Sequence, residues 1–259
     1  ADFKALQEHP ANPMWNRAIA GQYSPGSTFK IITTIAAAQA GIWSPDRAVI
    51  CNGYYEIGNR KVKCLGNHGA VTFRTAFTKS CNAYFSDFGL RSKRQGLIDA
   101  AEAAGLHQRT GIELRGEATG TLPTDEWIRR VQRKKPGEKI EWYPGMTVNM
   151  GIGQGEVNAT PLQMANVAAL VANSGVNYRP HLLKARITPD GRVDSAPEVL
   201  HRVDVDQRVW SELRSAMVNV IETGTARVAQ IPGIRWGGKT GSTESTGKKL
   251  THRDRKSVV

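Results

Sequence analysis

Tyr23-Ser24-Pro25-Gly26-Ser27-Thr28-Phe29-Lys30 places a hydroxyl and an amine three residues apart at the head of an apolar run. Pro25 and Gly26 are turn residues, and Ser27 suits the start of a helix. Residues 29–40 are apolar and Ala-rich without a breaker until Gly41, so a helix is expected to end there. Residues i and i+3 share a helix face, which should bring Ser27 and Lys30 to side-chain distance. A lysine that has lost solvation is neutral near pH 7 and can take the proton of a serine hydroxyl. The unpaired N–H groups of a helix start also suit an oxyanion formed beside Ser27. Taken alone, Ser-x-x-Lys at a helix start is a common chance match.

Two further motifs follow in order, Ser80-Cys81-Asn82 and Lys239-Thr240-Gly241. Ser-x-x-Lys, Ser-x-Asn and Lys-Thr-Gly together are the signature set of penicillin-binding proteins and serine β-lactamases. The chain resembles the transpeptidase domain of penicillin-binding proteins, most of all the class B proteins of the elongation (rod-shape) type. Trp142-Tyr143-Pro144-Gly145, Gly151-Ile152-Gly153-Gln154-Gly155, Ala159-Thr160-Pro161-Leu162-Gln163 and Gly224-Thr225-Ala226-Arg227 add to the likeness, which spans nearly the whole chain.

The resemblance implies an α+β fold of the β-lactamase/transpeptidase type, its site lying between an all-helical subdomain and a five-stranded antiparallel sheet. It implies Ser27 as nucleophile and Lys30 as its general base. Ser80 would pass a proton to the leaving amine, and Asn82 would hold Lys30 and the substrate amide. Lys239 and Thr240 would meet the terminal carboxylate of the donor peptide. Gly241 would leave room for substrate along the strand, and the N–H groups of Ser27 and Ser242 would form the oxyanion hole. The activity implied is D,D-transpeptidation of peptidoglycan stem peptides, inhibited by β-lactams and needing no catalytic cofactor. Cell-wall elongation proteins are the implied partners of the full-length form, at the periplasmic side of the inner membrane of a bacterial envelope.

A serine β-lactamase and a β-lactam-sensing receptor domain remain as alternatives. Class A lactamases add a glutamate for deacylation, and no Glu-x-x-Leu-Asn follows the Ser-x-Asn motif at a suitable distance. The Gly-Ile-Gly-Gln-Gly stretch favours the transpeptidase. One departure is local: Ser242-Thr243-Glu244-Ser245 follows Gly241 where Thr-Ala is usual, a change that keeps the backbone donor.

Cys51, Cys64, His68 and Cys81 form a second set, spaced Cys-x12-Cys-x3-His-x12-Cys. Tyr54-Tyr55-Glu56-Ile57 and Arg60-Lys61-Val62-Lys63 flank Gly58-Asn59 as a hairpin, which would draw Cys51 and Cys64 together. Three thiolates and an imidazole make a tetrahedral zinc set, structural because Cys81 sits inside the Ser-x-Asn triplet. A Cys51–Cys64 disulfide, natural in an oxidising envelope, is the alternative.

Forty per cent hydrophobic and 22% charged residues over 259 positions describe a globular chain. The net charge of +12 comes from scattered lysines and arginines without interleaved aromatics, an arrangement unlike a nucleic-acid-binding surface. No run of eighteen apolar residues and no signal peptide is present, so a membrane anchor is expected to lie outside this sequence.

Along the chain, residues 1–20 read as loop with one helical turn. Residues 71–79, 83–90 and 95–104 read as helices, and 106–148 as mostly loop. Helices are expected over 160–173 and 206–222, a pairing of 182–187 with 192–193, and a strand over 236–242. Neither end supplies the further strands that the resemblance implies: residues 1–20 lack an apolar run and 248–256 are basic. The whole chain, 1–259, therefore reads as a partial transpeptidase domain, mostly helical and weakly active or inactive alone, with 248–259 an irregular, non-native-looking tail. The 236–242 strand is expected to be weakly paired.

Overall fold

In the computed structural model, which describes residues 2–243 and the backbone of Ser257–Val258, two short helices precede the Ser27 turn. These are α1 (Phe3–Glu8) and α2 (Arg17–Ala20), each opened by an Asp or Asn side-chain cap. A 3-10 turn, Gly26–Phe29, then leads into α3 (Lys30–Gln39). The expected helix start at Ser27 is thereby corrected: Ser27 lies in the tight turn, caps nothing with its side chain, and the α-helix begins at Lys30. Thr28 reinforces the turn by donating its hydroxyl proton to Pro25 O at 2.7 Å. Gly41, at φ +66, ends the helix as expected.

Strand β1 (Val49–Cys51) pairs antiparallel with β4 (Gly69–Val71), enclosing the hairpin β2 (Tyr54–Ile57) and β3 (Arg60–Lys63), whose register is Tyr54↔Lys63 through Ile57↔Arg60. Helix α4 (Phe73–Thr78) starts two residues later than expected because 69–71 is spent on β4. The two helices expected over 83–90 and 95–104 are both present, one on each side of non-helical geometry at Lys93, and together they make up α5 (Asn82–Ala103).

Residues 106–148 are less irregular than expected. They contain α6 (Asp125–Gln132) and the start of α7 (Pro144–Gly151). Thr124 caps α6, with Asp125 and Glu126 in its first turn and Arg129 and Arg130 in its last, the charge order a helix dipole favours. Helix α8 (Pro161–Ala172) opens with a full capping box between Thr160 and Gln163. Strand β5 (Val176–Tyr178) pairs with β8 (Val199–Arg202), and between them β6 (Ala185–Thr188) pairs with β7 (Gly191–Asp194). Asp206 caps α9 (Gln207–Glu222), whose Val209, Leu213, Met217, Val220 and Ile221 are all buried.

The core lies among α3, α5, α7 and α9. Phe29, Ile32, Ile35, Phe73, Phe77, Tyr84, Phe85, Phe88 and Trp210 are shut from solvent. Tyr84 stacks on Phe88 at 4.6 Å between centroids, and Phe77 meets Phe85 edge-on at 5.9 Å. Helices α5 and α7 cross with backbones touching: a Cβ on Gly89 would lie 2.8 Å from Gly151 Cα.

The expected strand over 236–242 is corrected to a short one. Among the described residues the strand pairing of this stretch is that of β9 (Thr240–Gly241) with β10 (Ser257–Val258). Upstream, Gly238 donates its N–H to Met217 O at 3.1 Å, so this stretch leans on α9 rather than on a neighbouring strand. The expectation for residues 248–259 otherwise lies outside the described residues.

Candidate active site

The Ser27 turn is set by close backbone approaches. Gly26, at φ +52, lies against the Lys-Thr-Gly strand: a Cβ there would sit 2.5 Å from Ser242 O. Gly153 faces it from the other side, where a Cβ would be 2.1 Å from Gly26 O and 2.6 Å from Phe29 Cβ. Gly153 O accepts from Gly26 N and from Ser24 Oγ, both at 2.8 Å. Gly151 O accepts from Thr33 Oγ1 at 2.7 Å, tying the glycine-rich segment to α3. Ser27 itself is half-buried, and among the described residues its hydroxyl has no hydrogen-bond partner.

Among the described residues the amine of Lys30 makes no hydrogen bond to Ser27. It donates instead to Ser80 O at 2.8 Å, Ser80 Oγ at 3.1 Å and Asn82 Oδ1 at 2.7 Å. Ser80 holds φ +53, a strained value that turns both its carbonyl and its hydroxyl onto this amine. Lys239 donates to the same hydroxyl at 2.9 Å and also to Thr240 O at 3.1 Å. Both lysines are shut from solvent. Burial lowers Lys30 to about 7, offset in part by the Cys81 and Cys64 thiols. Burial, then the nearby Lys30 charge, holds Lys239 well below the usual lysine range. A site with a half-neutral amine near pH 7, three acceptors ready for its ammonium form and an adjacent serine can accept and re-donate a proton.

Asn82 is fixed from behind: its Nδ2 donates to Lys63 O of β3 at 2.7 Å. The hairpin thus buttresses the Ser-x-Asn loop, which spacing alone does not show. At its base, Cys51, Cys64, His68 and Cys81 converge, with ligand atoms all within 4.8 Å of one another. Cys51 Sγ lies 3.6 Å from Cys64 Sγ and 3.5 Å from His68 Nδ1. A tetrahedral zinc with bonds of about 2.3 Å to sulfur separates its ligand atoms by about 3.8 Å, so the four residues fit that ion. Cys64 Sγ accepts from Ala83 N at 3.2 Å, and its thiol is lowered to about 5, mainly by the hydrogen bond with Cys81. The same contact pushes Cys81 upward.

Thr240 and Gly241 line β9, and Ser242 follows; Gln154 Nε2 approaches Ser242 O at 3.4 Å. Thr240 also shares a 2.7 Å hydroxyl contact with Thr225, to which sequence reasoning assigns no role. The signal was the Gly224-Thr225-Ala226-Arg227 motif, which local spacing could not connect to Thr240.

The chain belongs to the penicillin-binding protein transpeptidase domain family, whose family model matches residues 2–259. It is similar to the peptidoglycan D,D-transpeptidase MrdA of Acinetobacter baumannii, at 32% identity over 94% of this chain and 36% of that protein. Among solved structures it is similar to PBP2 of Pseudomonas aeruginosa in complex with WCK 5153, with TM-score 0.78 and 32% identity over 93% of this chain and 56% of that one. The imipenem acyl-enzyme of penicillin-binding protein A from Mycobacterium tuberculosis gives TM-score 0.74 and 29% identity over 93% and 53%. The fold is that of these transpeptidase domains. The chain spans less than half the length of the curated relatives it matches. Among the described residues no helix is long and apolar enough to cross a membrane.

Proposed function

We propose that the chain is the catalytic domain of a peptidoglycan D,D-transpeptidase of the elongation type, working through a serine acyl-enzyme and inhibited by β-lactams. The observation that carries this reading is the buried Lys30 amine, held by Ser80 and Asn82 beside the half-buried Ser27, with a lowered affinity for protons. Ser27 Oγ attacks the penultimate D-alanine carbonyl of a stem peptide while Lys30 takes its proton. The ammonium so formed finds three acceptors already in place. Ser80, bonded to Lys30, delivers a proton to the amine of the departing D-alanine, leaving an ester on Ser27. An amine from a neighbouring stem peptide then attacks the ester, and the proton path runs in reverse. The backbone N–H groups of Ser27 and Ser242 stabilise the oxyanion in both steps. Lys239 and Thr240 provide charge and hydroxyl for the terminal carboxylate, and Gly241 leaves room for the peptide.

Cys51, Cys64, His68 and Cys81 would hold a structural zinc, which clamps the Ser80–Asn82 loop through the hairpin and takes no part in acyl transfer. The 3.6 Å between the Cys51 and Cys64 sulfurs exceeds the ~2.05 Å of a disulfide, and a disulfide would leave Cys81 and His68 unaccounted for. Cell-wall elongation proteins are the proposed partners, and the periplasmic side of the inner membrane the proposed place of work.

The test is mass spectrometry after incubation with penicillin. One adduct on the Ser27 peptide is expected in an intact version of this domain, absent in Ser27→Ala and slowed by orders of magnitude in Lys30→Ala. Labelling that persists in Ser27→Ala would end the assignment. Sustained nitrocefin hydrolysis, rather than a stoichiometric stall, would move the reading to a lactamase.

A further inference from the structure

We propose that Thr225 is a positioning residue that orients the Thr240 hydroxyl toward the carboxylate of the donor substrate. The inference rests on the transpeptidase reading above. Thr225 Oγ1 and Thr240 Oγ1 lie 2.7 Å apart, and both residues are half-buried. Lys239, the other group expected to meet that carboxylate, is shut from solvent, and its amine donates to Ser80 Oγ and Thr240 O. Short-range contact with the carboxylate therefore falls to hydroxyls.

A threonine hydroxyl has one proton to give and two lone pairs. A carboxylate only accepts. Thr240 can donate to it and keep the Thr225 contact in one arrangement alone: Thr225 donates to Thr240 Oγ1, and Thr240 passes its own proton outward. Hydrogen bonds chained in this sense strengthen one another at a half-buried site. Without Thr225, the Thr240 hydroxyl is free to rotate and must be ordered by the substrate itself.

Thr225 is well anchored for this task. Gly224 packs so closely that a Cβ would lie 2.6 Å from Thr78 O and 2.8 Å from Val220 Cα. Ala226, buried, donates its N–H to Val220 O at 3.0 Å. The segment before β9 is tied to the same helix, through Gly238 N to Met217 O. Both threonines are thus held relative to α9.

The experiment follows acylation of Ser27 across a range of benzylpenicillin concentrations, separating the half-saturating concentration from the limiting rate. Thr225→Val is expected to raise the half-saturating concentration about five- to tenfold, the loss of roughly one hydrogen bond, with most of the effect there and not in the limiting rate. Thr225→Ser is expected to restore the parent value, and Thr225→Val with Thr240→Val to be no worse than Thr240→Val alone. Thr225→Ala, which shortens the side chain without adding a methyl, reads the same loss should the valine variant melt early. A half-saturating concentration unchanged in both truncations, an equal loss in Thr225→Ser, or additive losses in the double variant would overturn the inference while leaving the Ser27 adduct intact. Absence of any Ser27 adduct in the unsubstituted protein would instead remove the transpeptidase reading and this inference together.

Discussion

Lys30 and Lys239 aim their amines at one oxygen, the Ser80 hydroxyl, from 3.1 and 2.9 Å. Two buried cations around one neutral acceptor repel each other, and burial already disfavours both charges. The pair therefore holds its protons weakly near neutrality, as the proposed proton relay requires.

The first expectation concerns pH. Lys30 is lowered to about 7 by burial, and only its neutral form can accept the Ser27 proton. The rate of Ser27 acylation by penicillin should climb about tenfold per pH unit below 7 and level off above it. Rates measured from pH 5.5 to 8.5 that stay flat would show that Lys30 is not the base.

Stability should respond to the same burial. The folded pKa of Lys30 lies below its unfolded value of 10.5, so the unfolded chain binds more protons between about 7 and 10.5. The cost is complete below pH 7 and fades as pH rises through that window. Lys30→Met should therefore gain stability at pH 7, by about 1–2 kcal/mol after its lost hydrogen bonds. Denaturant melts should show that gain shrinking by pH 10; a gain that grows with pH would contradict the argument.

Gly153→Ala tests the turn. The position has φ +70, and the added Cβ would fall 2.1 Å from Gly26 O, a backbone neighbour without room to yield. Destabilisation of about 3 kcal/mol or more is expected, together with loss of Ser27 labelling. A variant that unfolds and labels like its parent would show the Gly26–Gly153 contact to be dispensable.

For the cysteine cluster, a thiol titration under denaturing, chelating conditions should count three free thiols, with about one zinc per chain released. One free thiol would indicate the Cys51–Cys64 disulfide. Chelation of the folded protein should lower its melting temperature and slow acylation, because Asn82 is braced by Lys63 O next to Cys64.

By itself the sequence determined what depends on near neighbours. The helices over 160–173 and 206–222 and the hairpin about Gly58-Asn59 were legible because turns, breakers and periodicity act over a few residues. The residue types of the candidate site were legible too, since Ser27, Lys30, Ser80, Asn82 and Lys239 stand in recognisable motifs, though only packing brings the motifs together. Helices α6 and α7 were hidden by Gly, Pro and charge, which mask short helices whose support comes from elsewhere. Tertiary structure alone decided that the Lys30 amine is held by Ser80 and Asn82, that Gly153 closes on Gly26, and that Thr225 meets Thr240. The physical reason is burial. The direction of a long amine, its proton affinity and a backbone approach too close for a Cβ are set by segments far apart in the chain, and no local spacing encodes them.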